Sequence, residues 1–377
     1  MSDTQREHAI DEPTGAPAAK SGSRVSRIVH SGGCLCGVSR RQFLTGAMAT
    51  GVTGLAARLG FSQTPAVSGL IDVHHHMLPP RYIAERVAAG IRNPSSGVGS
   101  WTAARTLEEM DRNGIATAFL SLTQPGLRFE DIEGTRGMLR YCNEYGAHLV
   151  RDHPGRFGLF ATLPLSDIDG SLRELEYCFD TLNADGVSLL TSYDTRYPGN
   201  PYFEPIWQEL NRRRAVAFVH PNLPVCCENL LPDVPNVTIE YQFNTARAIA
   251  NLLYTATFSQ FPDIRYIFCH AGGAMIPQVG RIARHAEESS EISARLPNGV
   301  WAEIRKLYFD TAQAANPWNF GATRTFVPIA QMLFGSDYPF VPAADTVRDL
   351  NELGLSESDL GAVSRNNALA LFPQLQA

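Results

Sequence analysis

Short apolar strands alternate with amphipathic helical segments along most of this chain, and this alternation limits the possible folds more than any other feature. Eight β-rich runs are separated by segments in which apolar residues recur every three or four positions. The runs cover residues 70–74, 116–122, 157–163, 186–190, 217–220, 265–270, 307–310 and 331–335. Eight such units predict the fold class α/β and, within it, a closed (β/α)8 or TIM barrel. The alternative is an open, doubly wound sheet.

Three histidines lie at the end of the first predicted strand, where an open dinucleotide-binding sheet would usually carry a glycine-rich phosphate turn. The strand ends Asp72-Val73-His74-His75-His76. Because side chains alternate along a strand, His74 and His76 share one face and His75 points to the other. We expect His75 to pack behind the strand.

Further histidines and an aspartate close later predicted strands. His220 ends the fifth, His270 ends the sixth, and Asp337 follows the eighth. Catalytic groups of TIM barrels come from the carboxyl ends of strands, so these side chains should meet His74 and His76 at one rim. Three imidazoles and one carboxylate are suitable ligands for a divalent metal ion, which predicts a site of His74, His76, His220 and Asp337. His270 would lie beside it as an acid or base.

Lysines are nearly absent from the chain, which contains only Lys20 and Lys306 among its 32 basic residues. Lys306 precedes the seventh predicted strand, at the end of the barrel opposite the predicted site. A two-metal centre bridged by a carbamylated lysine is therefore disfavoured, and we expect a single metal ion.

The strand-end motifs together carry a family resemblance. Asp72-Val73-His74-His75-His76, His220-Pro221, His270-Ala271-Gly272-Gly273 and Gly335-Ser336-Asp337-Tyr338-Pro339 resemble those of the amidohydrolase superfamily. The resemblance extends over residues 69–373. Within the superfamily, the motifs most resemble those of the decarboxylases typified by amino-carboxymuconate-semialdehyde decarboxylase. Among these, the branch similar to 6-methylsalicylate decarboxylase is the nearest.

This resemblance implies a barrel of the metal-dependent hydrolase type and a carboxy-lyase. The metal ligands would be His74, His76, His220 and Asp337, and the catalytic residues would be His270 and Asp337. Zn²⁺ is the metal expected for this His-x-His form, with Mn²⁺ as the alternative. Some related decarboxylases carry Glu where His74 stands here. The family also implies a homodimer.

The expected reaction is non-oxidative decarboxylation of a small aromatic or unsaturated carboxylic acid. Asp337 or a metal-bound water would protonate the carbon that bears the carboxylate, and His270 would hold or shuttle that proton. The alternatives are a hydrolase or hydratase acting on a cyclic amide, lactone or ester, and an exported metal-binding protein without turnover.

Substrate contacts are less sharply indicated by the sequence. Arg247 is a candidate for binding a substrate carboxylate, and a structural salt bridge at a helix start is an equal alternative. Four aromatic residues in predicted loops could line a pocket, namely Trp101, Tyr193, Trp318 and Phe340.

The first 66 residues are predicted to be a disordered leader, with the barrel domain covering residues 67–377. Arg40 and Arg41 precede Phe43 and an apolar stretch of small residues from position 45 to 59, a pattern typical of a twin-arginine export signal. A chance Arg-Arg pair before an amphipathic helix is the alternative. We expect the Tat machinery to export the precursor to the periplasm or outside, and a cytoplasmic protein if the leader is not functional.

Composition excludes several other classes of protein. The net charge of −6 argues against a nucleic-acid partner, which would require a basic face. No apolar run approaches the roughly 20 residues of a membrane-spanning helix, so we expect no transmembrane segment in the mature form. Seven cysteines in 377 residues are too few for a disulfide scaffold. The adjacent Cys226 and Cys227 could be a redox pair or a metal ligand pair, and two packed small side chains are the favoured interpretation.

Overall fold

The computed structural model of the chain describes residues 69–89, 98–122, 132–228 and 230–376. The predicted leader, with Arg40 and Arg41, lies outside the described residues, so the boundary at residue 66 stays a prediction. Within the described part, no helix is both long and apolar enough to cross a membrane.

Eight parallel strands form one sheet in sequence order, as the alternation predicts. They are β1 (Leu70–Met77), β2 (Ile115–Leu122), β3 (Phe157–Thr162), β4 (Gly186–Leu190), β5 (Val216–His220), β6 (Arg265–Phe268), β7 (Tyr308–Asp310) and β8 (Met332–Leu333). The segment after β8 returns to β1: Asp337 N–H donates to the carbonyl of His74 at 2.8 Å, and His76 N–H donates to that of Tyr338 at 2.8 Å. These bonds close the sheet into the predicted (β/α)8 barrel.

Helices follow the strands on the outside of the barrel. They are α1 (Pro80–Ala88), α2 (Ala103–Arg112), α3 (Ile132–Asp152), α4 (Ile168–Asp180), α5 (Glu204–Arg212), α6 (Glu240–Tyr254), α7 (Thr257–Gln260), α8 (Met275–Glu288), α9 (Ser290–Arg295), α10 (Val300–Ile304), α11 (Ala343–Glu352), α12 (Glu357–Gly361) and α13 (Asn367–Leu371). Residues 362–366 form a π-helical turn between α12 and α13, where the sequence pattern predicts one continuous helix.

A stack of aromatic rings fills the interior of the barrel below the predicted site. Phe160 lies between Phe119 and Phe218, with ring centroids 4.9 and 5.3 Å apart, and Phe372 packs against Phe119 at 4.2 Å. All four rings are fully buried. The predicted site lies at the other side of this cluster, at the carboxyl ends of the strands, which is where TIM barrels bind their ligands.

Two strands, β6 and β8, end two residues before their predicted ends. β6 ends at Phe268, because His270, Ala271, Gly272 and Gly273 all have positive φ angles that a strand does not accommodate. β8 covers only two residues, so Asp337 projects from an irregular segment and has a φ angle of 65°. Both predicted site residues beyond these strands are therefore positioned by turns.

A β-bulge in β1 decides which side chains enter the barrel. Asp72 pairs with Ala118 and His75 with Leu120, so three residues of β1 oppose two of β2. Ile71 and Val73 belong to the interior cluster with Phe119. Strict alternation from Val73 would direct His74 away from that interior. The extra residue of the bulge turns His74 back toward the interior. The Asp72 carboxylate supports the bulge by accepting the N–H of His74 at 3.0 Å.

Candidate metal centre

Four potential metal-ligand side chains converge inside the rim of the barrel. His74 and His76 come from β1, His220 from the end of β5, and Asp337 from the segment after β8. One nitrogen or oxygen atom from each lies within 4.8 Å of the others, and all four residues are buried. The structure thus brings together the whole set that the strand-end pattern predicts.

Each of the three histidines is held through its Nδ1 atom. His74 Nδ1 lies 2.8 Å from Asp310 Oδ2, His76 Nδ1 lies 2.8 Å from Ser121 Oγ, and His220 Nδ1 lies 2.8 Å from the carbonyl of Pro221. Ser121 Oγ also lies 3.2 Å from the carbonyl of His75, to which its hydroxyl can donate, so the oxygen is free to accept from His76. We therefore assign the proton of each ring to Nδ1, which leaves every Nε2 lone pair available.

The inner atoms of this cluster require a positive charge between them. His74 Nε2 and His76 Nε2 are 3.0 Å apart, and Asp337 Oδ1 lies 3.3 and 3.1 Å from them. In the metal-free site that charge is a second proton on His74, whose raised pKa lets its Nε2 donate to His76 or Asp337. A divalent cation can take the place of this proton, and a set of three imidazole nitrogens and one carboxylate suits such an ion.

Burial and neighbouring charges shift the pKa values of these groups. Burial lowers the pKa of His76 to about 4, and burial with the nearby histidines lowers that of His220 well below its ordinary value. For His74, burial acts downward, but Cys269, Asp310 and Asp337 outweigh it and raise the pKa well above the ordinary value. Burial raises the pKa of Asp337, but His74 and His76 outweigh it, so this pKa lies well below its usual range.

Backbone geometry lets His74 approach Asp310. The Cβ atom of any side chain at Gly335 would lie 2.7 Å from Cβ of His74 and 3.0 Å from Cβ of Asp310. Only glycine permits this close packing of β1, β7 and the segment after β8. Gly335 thereby contributes to the site without a functional group.

His270 lies beside the four residues and does not belong to the convergent set. Its ring centroid is 5.0 Å from that of His74 and 6.1 Å from that of His220. Its Nδ1 atom lies 2.9 Å from the carbonyl of Ala312, and its backbone N–H donates to Asp310 Oδ1 at 2.9 Å. The Nε2 atom of His270 is thus left to exchange a proton, which is the geometry that the predicted acid–base role requires.

Four residues of the site were not assigned a role from the sequence. Asp310 is the last residue of β7 and Ser121 the last but one of β2, so the rule that found the histidines could have found them too. Asp72 accepts the N–H of Ser336 at 3.0 Å and the hydroxyl of Ser336 at 2.6 Å, which ties β1 to the segment carrying Asp337. Gln313 donates from Nε2 to Asp337 Oδ2 at 2.6 Å, and no sequence signal marks this exposed residue.

The other histidine of the triplet packs as predicted. His75 Nδ1 lies 2.9 Å from Asp72 Oδ2, and its ring stacks on Tyr338 with centroids 4.9 Å apart.

The four aromatic residues predicted to line a pocket lie in different surroundings. Phe340 contacts His76 edge to face at 5.4 Å, whereas the side chain of Trp318 is 81% exposed. Trp101 is buried, and the Tyr193 hydroxyl accepts the N–H of Leu190 at 2.8 Å.

Arg247 is exposed on α6 and lies beside Tyr197. The buried face of α6 instead presents Asn244, whose amide donates to Thr191 Oγ1 at 2.8 Å and to the carbonyl of Asn222 at 2.9 Å. The role of Arg247 as a substrate contact stays a prediction.

Comparisons with known proteins agree with this geometry. The sequence profile of a family described as amidohydrolase matches residues 71–374. A decarboxylase from Aspergillus niger, yanB, is 33% identical over 324 residues, covering 81% of this chain and 88% of the relative. A 6-methylsalicylic acid decarboxylase from Penicillium expansum is 34% identical over 313 residues, covering 81% and 97%. A crystal structure of a dihydroxybenzoic acid decarboxylase from Polaromonas sp. JS666, with bound manganese, has a TM-score of 0.72 at 21% identity, covering 82% and 98%.

Proposed function

The chain belongs to the amidohydrolase family, and from this premise we propose that it is a metal-dependent carboxy-lyase that removes CO₂ from a small aromatic acid without an oxidant. The observation that carries this proposal is the convergence of His74, His76, His220 and Asp337 beside His270, whose Nε2 atom makes no hydrogen bond to the described residues. The named relatives at 33–34% identity are decarboxylases, which favours carbon–carbon cleavage over hydrolysis.

The proposed cofactor is a single divalent ion held by the three Nε2 atoms and Asp337. When bound, such an ion neutralises the substrate carboxylate and fixes its position. We propose Zn²⁺ because an imidazole-rich set binds it more tightly than Mn²⁺. Mn²⁺ is the alternative, since it is the metal bound in the Polaromonas decarboxylase.

The chain's own groups supply the proton that decarboxylation consumes. A proton must reach the ring carbon that carries the carboxylate, because the electrons of the broken bond would otherwise remain on a carbanion. Asp337 is a carboxylate in the free site, since its pKa is held low, so it must first take up a proton before passing it on. His270 Nε2 provides the replacement, and the Ala312 carbonyl keeps the ring from rotating away.

The proposed substrates are benzoic acids with an oxygen substituent next to the carboxylate. The Penicillium relative is named for 6-methylsalicylic acid, and the Polaromonas structure for dihydroxybenzoic acid. In this chain, the half-buried Phe340 beside His76 offers an aromatic contact at the rim. The ring of the substrate would then lie against Phe340, and its carboxylate would lie next to the proposed metal ligands.

A carbon-balance experiment tests the proposed reaction. Full-length protein of known metal content is incubated with salicylate, 6-methylsalicylate or 2,6-dihydroxybenzoate, each labelled with ¹³C at the carboxyl carbon. We expect about one divalent ion per chain and release of labelled CO₂ in equal amount to the phenol formed. A product that retains the label after addition of water would instead establish the hydrolase or hydratase alternative. Bound metal with no turnover of any acid would favour the metal-binding alternative.

We also propose that Arg40 and Arg41 direct export through the twin-arginine route, and that the mature enzyme is a homodimer. Because metal binding and folding are coupled, a route that carries folded proteins would preserve a loaded site. Cell fractionation of the wild type and of a variant with both arginines changed to lysine tests export. We expect periplasmic protein only from the wild type. Light scattering of the exported form tests the dimer.

A further inference from the structure

Two adjacent cysteines lie together in the loop after β5, away from the proposed metal ligands. Cys226 and Cys227 belong to a short 3₁₀ turn, Val225–Cys227, that follows His220 by five residues. Their Sγ atoms are 2.6 Å apart, so the two sulfurs are in direct contact. Cys226 is exposed to solvent, whereas Cys227 is buried. A reagent in solution can therefore reach the first sulfur, and the second sulfur is immediately behind it.

The other cysteines of the described residues are in a different situation. Cys142, Cys178 and Cys269 are all buried without a neighbouring thiol partner in sequence. Burial raises the pKa of Cys142 and of Cys269 to about 12, which keeps both thiols protonated and unreactive. Cys226 and Cys227 are thus the pair with both access and a partner among the described cysteines.

The surroundings of the pair are polar and charged. Glu240 and Arg247, on the first turns of α6, interact with Cys227, and Tyr197 lies close to both sulfurs and to Arg247. The hydrogen bond between the two sulfurs, together with burial, raises the pKa of Cys227 to about 11, and the charge of Arg247 acts in the opposite direction. Because Cys227 stays a thiol while its sulfur contacts Cys226, the exposed Cys226 is the sulfur that reacts first with a disulfide in solution.

We propose that Cys226 and Cys227 form a reversible redox site, a dithiol that small disulfides oxidise to a vicinal disulfide and that thiols reduce again. The Cys226 thiolate attacks one sulfur of a disulfide RSSR, forming a mixed disulfide and releasing RS⁻. The Cys227 thiolate then attacks the Cys226 sulfur and releases the second RS⁻. The two cysteines lose two electrons and two protons, and RSSR becomes two RSH.

The covalent geometry explains why the bond should be reversible. Neighbouring Cα atoms are about 3.8 Å apart, whereas ordinary disulfides join Cα atoms at roughly 4.4–6.8 Å. A bond between adjacent cysteines therefore closes a strained ring. Strained and exposed disulfides have higher reduction potentials than structural ones and belong to the labile class. The pair lies in the loop that joins His220 to α6, after the carboxyl end of β5.

Mass spectrometry of the native full-length protein tests this site with oxidised glutathione as the probe. Trypsin releases one peptide, residues 215–247, that contains both cysteines, while Cys34 and Cys36 fall in a different peptide. We expect the 215–247 peptide to lose the mass of two hydrogens after glutathione treatment and to regain it after dithiothreitol.

Matched serine variants separate the two sulfurs. Cys227→Ser should retain glutathione on Cys226 as a stable mixed disulfide, because no second thiol can displace it. Cys226→Ser should react at least tenfold more slowly, because the buried Cys227 is not accessible. A stable glutathione adduct on the wild-type peptide, a disulfide between two copies of the chain, or an unreactive pair in a protein whose circular dichroism is native would each overturn the proposal.

Discussion

Oδ2 of Asp310 lies 2.8 Å from Nδ1 of His74, and both side chains are fully buried. The other oxygen of Asp310 accepts the N–H of His270 at 2.9 Å and that of Ala312 at 3.1 Å. One carboxylate therefore orients a proposed metal ligand and fixes the turn that carries the proposed acid–base residue. This contact makes β7 part of the site although it supplies no ligand.

Asp310→Asn is expected to weaken metal binding by about 10- to 100-fold, since partners of ligating histidines typically contribute this much. The asparagine amide can present its NH₂ group to His74 Nδ1, and the His74 ring then no longer has a fixed tautomer. Metal affinity is measured by competition with a chromophoric chelator. Asp185→Asn is the control, because Asp185 accepts the N–H of Leu159 and the amide of Gln374 elsewhere in the barrel. Equal metal affinity for Asp310→Asn and wild type would contradict the role of Asp310.

His270→Ala should lower kcat by about 10²- to 10⁴-fold while the protein retains its metal, as expected for loss of a general acid or base. The physical reason is that Nε2 of His270 is oriented by Ala312 but does not belong to the four convergent ligand atoms. Metal content and CO₂ release are measured on the same sample. His285→Ala serves as the control, since His285 is 55% exposed on α8. Activity within twofold of wild type would remove His270 from the mechanism.

Gln313→Leu should reduce kcat by roughly tenfold or more and leave thermal stability nearly unchanged. The side chain is exposed, but its amide donates to Asp337 Oδ2 at 2.6 Å, so its loss frees that oxygen to rotate. Steady-state kinetics and a melting curve provide the two readouts. Gln208→Leu is a suitable control because Gln208 bonds only the surface residue Glu204 in the described contacts. A drop in melting temperature that accounts for the lost activity would show that Gln313 acts on stability alone.

The metal-free protein should lose stability as the pH falls from about 6.5 to about 4, in part through His76. Its pKa is about 4 in the folded chain and near 6.5 when unfolded, so in this window only the unfolded chain binds the proton. The linked loss is at most about 3 kcal/mol for this residue. His74, whose folded pKa is raised, opposes part of this loss near pH 6.5, because there the folded chain binds its proton more fully than the unfolded chain does.

Urea unfolding at pH 7 and pH 4.5, with a chelator present, measures this effect. We expect wild type to lose more unfolding free energy on acidification than His76→Asn, which has no imidazole at this position. Identical losses in the two proteins would show that His76 titrates normally in the folded chain. Added Zn²⁺ or Mn²⁺ should stabilise wild type at pH 7 by about 2.7 kcal/mol at one hundred times Kd.

The sequence was sufficient to predict the architecture, because the hydrophobic periodicity of each segment determines whether it forms a strand or a helix. Eight alternating strands and helices then imply a parallel barrel. All eight strands overlap their predicted ranges over most of their observed length, and β4 matches at both ends. The polar strand ends likewise identified the four convergent residues, since every parallel strand of a barrel ends at one rim. Asp310 and Ser121 satisfy the same rule and were identified only by their contacts with His74 and His76.

Tertiary structure decided what no local pattern encodes. Period-two alternation relates His74 to His76, but whether that pair faces the barrel interior depends on the bulge between β1 and β2. The position of Asp337 depends on hydrogen bonds that β1 and Asp72 make with a segment more than 260 residues away in sequence. Periodicity arises from neighbours along the chain, whereas register, tautomer and the 2.6 Å contact of Gln313 with Asp337 arise from partners that only closure of the barrel brings together.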